Sequence, residues 1–180
     1  LRHCGTKIAP IDTNCFPAGF NNLSPSSLEK AKIIVADFFT HNFSDAKNIL
    51  IIPENHTRNL RYLENIFYLQ EILSSSERSV LIGDSSGEIK EKLTISLEND
   101  KSVTIHPIHK ISGQIFVTEN LQVDLIILNN DLTNGSPDIL QNINIPIIPS
   151  INLGWHQRTK SHHFDIYNQL ARELSQIIDI

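Results

Sequence analysis

Apolar residues gather in short blocks along this chain, and the blocks are of two kinds. "NILIIP" (48–53) is branched and continuous, as a strand buried on both faces would be. "SVLIG" (79–83), "VDLIILNN" (123–130) and "IPIIPS" (145–150) read the same way. Other blocks carry apolar residues at helical spacing. In "SPSSLEKAKIIVADFFTHN" (24–42), Ser24 is a cap, Pro25 suits the first turn, and Leu28, Ile33, Ala36, Phe38 and Phe39 supply the apolar positions. "RNLRYLENIFYLQEILSS" (58–75) predicts a second helix through Leu60, Leu63, Ile66, Phe67 and Leu73. "SPDILQNI" (136–143) predicts a short helix capped by Ser136 with Pro137 first, and "HFDIYNQLARELSQIIDI" (163–180) a closing one. One stretch differs. "KLTISLENDKSVTIHPI" (92–108) alternates, breaks at Asn99-Asp100, and alternates again, which is a hairpin signal.

After the opening helix the order is strand, helix, strand, hairpin, strand, helix, strand, helix. Apolar strands alternating with helices predict an α/β fold: a Rossmann-like, mainly parallel sheet of about four strands with helices on both faces and a β-hairpin inserted at an edge. The opening segment "IAPIDTNCFPAGFNNLSP" (8–25) reads as an ordered loop.

Composition narrows the class. A chain of 180 residues predicts one domain, 1–180, able to bury roughly 70% of its unfolded surface. It is 40% hydrophobic and 19% charged, with a net charge of −5 and no Lys/Arg run, so no nucleic-acid partner is expected. No apolar run approaches the roughly 20 residues that span a bilayer, so no membrane partner is expected either. Two cysteines, Cys4 and Cys15, are too few for a disulfide framework and favour a reducing cytoplasm. The chain opens at Leu1 and stops directly after a helical pattern, so both ends read as cut from something longer.

Ligands of open parallel sheets bind beyond the carboxyl ends of the strands. The text there is "ENHTRN", "GDSSGE", "NNDLTNG" and "INLGWHQRTKSHH", and the opening loop adds "DTNCFPAGFNN". Most of this is denser in acids, amides and cations than solvation requires. Asn55 or Thr57 is a candidate cap for the second helix. Arg58 stands in its first turn, against the macrodipole, and is eased there by an anion. "GDSSGE" reads as an ordinary turn, and Asn130 and Asp131 have an alternative as Asx-turn residues. His162 and His163 are adjacent, so they lack the i, i+4 spacing of a helical metal pair. No phosphate-binding glycine loop, GxSxG or HExxH is present. The residues suit a small zwitterion: Asp12, Glu54 and Asp131 for an ammonium, Arg58, Arg158 and Lys160 for carboxylates.

"APIDTNCFPAGFNNL" (9–23), "ILIIPENHTRN" (49–59), "IILNNDL" (126–132) and "GWHQRTKSHHF" (154–164) resemble the proteobacterial-type glutamate–cysteine ligase family. The resemblance covers nearly the whole chain. It implies a pre-ATP-grasp-like fold and a part in joining the γ-carboxylate of glutamate to cysteine, the first step of glutathione synthesis. It also implies ATP and Mg2+ for a longer enzyme, with an ATP-grasp-like portion downstream and no tight cofactor binding by this chain alone. Glutamate and cysteine are the implied partners, in a monomer or a homo-oligomer. Motif position and charge together make Asp12, Asn14, Asn21, Glu54, Asn55, His56, Arg58, Asn130, Asp131, Arg158 and Lys160 the candidate substrate contacts; no catalytic residue is assigned. Two positions depart from the family pattern: Cys15 replaces an expected aliphatic residue and Thr159 an expected basic one. The alternatives are a stand-alone Rossmann-like binding module without catalysis, and a hydrolase using Asp131 with a histidine.

Overall fold

The centre of the sheet is "NILIIP". Ile49, Leu50, Ile51 and Ile52 are each at most 1% exposed. At about 1.5–3 kcal/mol for each fully buried aliphatic side chain, these four consecutive residues anchor the sheet. In a computed structural model, residues 2, 3, 5, 8, 9, 15–55, 58–75, 77–118 and 120–177 are described, with backbone alone at 2, 3, 8, 9 and 160.

The strands and helices run in chain order as follows. A small pair, β1 (Arg2–His3) and β2 (Ile8–Ala9), precedes α1 (Pro25–Asn42) and β3 (Asn48–Pro53). Then come α2 (Leu60–Ser74), β4 (Ser79–Asp84), β5 (Leu93–Ser96) and β6 (Ser102–Pro107). A second hairpin, β7 (His109–Ile111) and β8 (Gln114–Phe116), leads to β9 (Leu125–Asn129), β10 (Ile147–Ile148) and α3 (Lys160–Ile177). Six strands form the main sheet in the order β10-β9-β3-β4-β6-β5. All neighbours are parallel except β5 against β6. The α/β class is therefore as the apolar runs indicate.

The local signals explain the elements. Ser24 caps α1 by accepting from the Ser27 N–H at 3.2 Å. Asn99 and Asp100 turn the β5–β6 hairpin with φ of 58° and 56°, a region these two residue types tolerate. Their hairpin is more than an edge insertion, because β6 continues the parallel sheet beside β4. Gly83 in β4 is required by close approach: a Cβ there would stand 2.8 Å from Ile108 Cγ2 and 2.9 Å from Leu50 Cδ1.

Three expectations are corrected. The cap of α2 is neither Asn55 nor Thr57 but Asn59, whose side chain accepts from the Tyr62 N–H at 3.1 Å. Residues 136–143 give only a 3₁₀ turn, Asp138–Leu140, preceded by Pro137 and with no side-chain cap. The strand expected over 145–150 is only two residues long, Ile147–Ile148, between Pro146 and Pro149.

The two faces of the sheet are covered differently. Ile49, Ile51, Val80, Ile82 and Leu125 pack with Phe39 of α1 and Leu63, Ile66, Leu69 and Leu73 of α2. The opposite face, with Leu50, Ile52, Ile126 and Leu128, is covered by Phe16, by Ile115 of β8, by Val117 and by Leu140 and Ile145. Among the described residues this second face is covered by hairpin, turns and connecting segments where an α-helix was expected. The closing helix α3 presents Ile166, Leu170, Leu174 and Ile177 at its surface, each at least half exposed.

Candidate functional site

Parallel pairing puts the last residues of β3 and β9 side by side, Pro53 opposite Asn129. Whatever follows these strands emerges at one edge. There the chain forms a cleft of about 640 Å³, lined by residues 54–55, 85–87, 130 and 132–139. The stretches after β3, β4 and β9 meet in it, as the carboxyl-end rule requires.

Tyr62 ties this edge together. Its hydroxyl donates to the Asn129 carbonyl at 2.7 Å and accepts from the Glu54 N–H at 2.8 Å. Asn129 Oδ1 lies 3.1 Å from the same hydroxyl. Burial pushes the Tyr62 phenol well above its ordinary value, while the Glu54 N–H works against that rise and the carboxylates of Glu54 and Asp131 add to it. The phenol therefore stays a neutral donor. Glu54 Oε1 accepts from the Asp131 N–H at 2.8 Å, a charge-assisted latch between the two loops. Asn130 Nδ2 donates to the Pro53 carbonyl at 3.2 Å, and Asn130 Oδ1 accepts from Leu132 N–H at 2.9 Å.

The remaining loops dock onto this frame. Trp155 N–H donates to the Asp131 carbonyl at 2.8 Å, which brings residues 154–158 against the loop after β9. Gly154 allows that contact, since a Cβ there would lie 2.7 Å from Leu132 Cβ. Asn129 Nδ2 donates to the Pro17 carbonyl at 2.8 Å. Buried Asn65 of α2 accepts from the N–H groups of Gly19 and Phe20 at 2.7 and 2.9 Å. The described parts of the five polar stretches thus meet at one end of the sheet.

The candidate contacts fall into groups. Glu54, Asn55 and Asn130 line the cleft. Asp131 turns its carboxylate into its own loop, with Oδ1 accepting from the Thr133 hydroxyl at 2.6 Å and the Thr133 N–H at 3.0 Å. That is the Asx-turn alternative. Arg158 stacks on Trp155, 4.9 Å from the ring centroid, and is not among the lining residues. Asn21 lies against α2, its Nδ2 3.4 Å from Glu64 Oε2. Arg58 is exposed and precedes the Asn59 cap, so it is outside the first turn of α2, contrary to the sequence reading. Asp12, Asn14, His56 and the Lys160 side chain lie outside the described residues.

Sequence reasoning undervalued Ser85, Ser86, Thr133, Asn134 and Ser136, all of which line the cleft. Their signal was position after a strand. "GDSSGE" is indeed a turn, with Asp84 accepting from the N–H groups of Ser86 and Ile89, yet it is also a wall of the cleft. Tyr62 carried no signal, because it looks like one more position of an amphipathic helix.

A parallel sheet with a polar cleft at its carboxyl edge is the arrangement in which open α/β proteins place their ligand sites. The family model described as "Glutamate-cysteine ligase" matches residues 1–180, so the chain belongs to the glutamate–cysteine ligase family. A crystal structure from Methylobacillus flagellatus KT, described as "Putative gamma-glutamylcysteine synthetase", is similar, with 38% sequence identity and a TM-score of 0.87. The similarity covers 99% of this chain and 42% of that one, so this chain spans less than half the length of that protein. No curated protein matches.

Among the described residues, no three His, Cys, Asp or Glu side chains group as a metal site. Among the same residues no helix is long and apolar enough to cross a membrane.

Proposed function

We propose that this chain is the substrate-side part of an ATP-dependent ligase that joins the γ-carboxylate of glutamate to the amine of cysteine in the cytoplasm. The observation that supports it most is convergence: in a member of this family, the stretches after β3, β4 and β9 surround one cleft, latched by Glu54 and Asp131. A carboxylate is a poor acyl donor, and ATP supplies the free energy that activates it. That chemistry needs phosphate- and metal-binding groups, which we assign to a further portion of a longer protein. The share of this chain is to bind and orient. Holding an amine and an activated carboxyl in contact makes their reaction effectively intramolecular, which is where a rigid, well-shaped site lowers the barrier most. Asn55 and Asn130 offer hydrogen bonds to the amino acid, and Glu54 and Asp131 hold the wall that presents them.

The test is stoichiometry. The full-length protein carrying this chain, given ATP, Mg2+, glutamate and cysteine, should release ADP and γ-glutamylcysteine in equal amounts, and neither without both amino acids. The chain of 180 residues alone should release no ADP above background. Turnover without ATP would mean a hydrolase, and amino-acid binding with no turnover in the full-length protein would mean a binding module. Either result overturns the ligase reading.

A further inference from the structure

Four hydroxyls stand on the cleft wall, and they are not equivalent. Those of Ser86 and Thr133 donate to the carboxylates of Asp84 and Asp131 and are engaged in their own turns. Those of Ser85 and Ser136 are shut off from solvent and have no hydrogen-bond partner among the described residues. Ser85 is 8% exposed, so its side chain is held inside the wall rather than left there by chance of exposure. A buried hydroxyl without a partner destabilises the free protein, and native structures keep few of them. A serine hydroxyl can donate as well as accept, and its hydrogen rotates to suit a partner.

The wall also has a sign. Glu54 and Asp138 contribute carboxylates, and no Lys, Arg or His is among the described residues lining it. The nearby Lys110 ammonium is held outside by the carbonyls of Asp138 and Gln141, at 3.0 and 3.1 Å. Leu132, Pro137 and Ile139 give one side an apolar surface. Such a cleft attracts an ammonium, offers neutral donors to one carboxylate, and repels a second carboxylate.

We propose that this cleft takes the amine acceptor, cysteine, and not glutamate. The assignment rests on the ligase reading. At neutral pH cysteine carries one ammonium and one carboxylate, whereas glutamate carries a further negative charge. The ammonium sits toward Glu54 and Asp138, the carboxylate takes the hydroxyls of Ser85 and Ser136, and the short thiol side chain lies on Leu132 and Ile139. The hydroxyls idle in the free protein then find their acceptor in the substrate.

The test uses the isotope-labelled 180-residue chain, titrated in reductant with cysteine and separately with glutamate. The amide resonances of Ser85, Ser86, Gly87, Asn134 and Gly135 report the cleft. Cysteine should move them at a Kd at least about fivefold below that of glutamate. Ser85→Ala should weaken cysteine binding by about fivefold while leaving Tm unchanged or raised, because an idle buried hydroxyl is removed. Asp138→Lys should shift the preference toward glutamate. Glutamate moving the same resonances as tightly as cysteine overturns the assignment and leaves the ligase reading intact. A Ser85→Ala chain with lower Tm and unchanged cysteine affinity overturns it too, by making Ser85 structural. If neither amino acid moves the cleft resonances the assignment falls, and the ligase reading is decided separately by the stoichiometry of ADP and dipeptide.

Discussion

Replacing Tyr62 with Phe removes one oxygen and leaves the ring in place. That oxygen joins three elements: it sits on α2, accepts from the Glu54 N–H that follows β3, and donates to the Asn129 carbonyl that ends β9. Both backbone groups are partly buried, so losing their partner costs more than the bond itself returned on folding. The expected loss is about 1–3 kcal/mol, since a buried donor or acceptor left unmade costs that much. For a chain of this length it corresponds to a fall in Tm of about 2–12 °C. Alkaline behaviour gives a second readout. The folded-state pKa of Tyr62 is raised, mainly by burial. Its stabilising contribution is therefore complete below the unfolded value near 10 and is lost as pH rises above it, where the unfolded chain ionises first. Tyr62→Phe should flatten the loss of stability above pH ~10. The assays are thermal melts at neutral pH and urea midpoints across the alkaline range. A variant that melts within ~1 °C of the parent, with the same alkaline slope, would show that the Tyr62 hydroxyl does not hold the edge of the sheet.

Two further substitutions probe the frame. The folded-state pKa of His106 lies below 6.5, through burial first and the Lys92 charge second, so the unfolded chain binds more protons below that value. Stability should therefore fall as pH drops from neutral through 6.5 toward the folded pKa, and His106→Gln should flatten that fall in urea midpoints; an unchanged slope would count against the burial of His106. Asn65→Ala leaves the Gly19 and Phe20 N–H groups without their acceptor and should lower stability by about 1–3 kcal/mol. A denaturation curve superimposing on that of the parent would mean that the opening loop is not anchored through Asn65.

The elements most legible in the sequence are those whose local and global demands agree. β3 reads as a strand because it is buried on both faces, and α1 because Ser24, Pro25 and the apolar spacing all say the same thing. The β5–β6 turn was legible because Asn and Asp are residue types that accept positive φ. Where the reading failed, tertiary context decided. Residues 136–143 have helical spacing for barely two turns, too short to propagate, and Leu140 is instead buried against the second face of the sheet. The β7–β8 hairpin was missed although Ser112-Gly113 is a turn dipeptide with φ of 51° and 80°. Its strands are three residues each, too short for alternation to stand out.

The position of the cleft was legible in the sequence and the side chains that line it less so, for a geometric reason. Following a strand fixes the edge at which a residue emerges, and Pro53 beside Asn129 fulfils that expectation. It does not fix where the side chain points. Charge counting along "ENHTRN" and "WHQRTK" suggests cations for carboxylates, yet Arg58 stands exposed ahead of the Asn59 cap and Arg158 lies on Trp155. A guanidinium finds an aromatic face or open water within reach of its long stem, and neither constrains it to the cleft. Short side chains have no such freedom. Ser85 and Ser136 must stay where the backbone leaves them, which is the wall. Glu54 shows the same logic in a charged residue, because its carboxylate is fixed by the Asp131 N–H before any ligand arrives. In this fold the wall of the cleft is therefore shaped by the residues least able to move, acids among hydroxyls and amides.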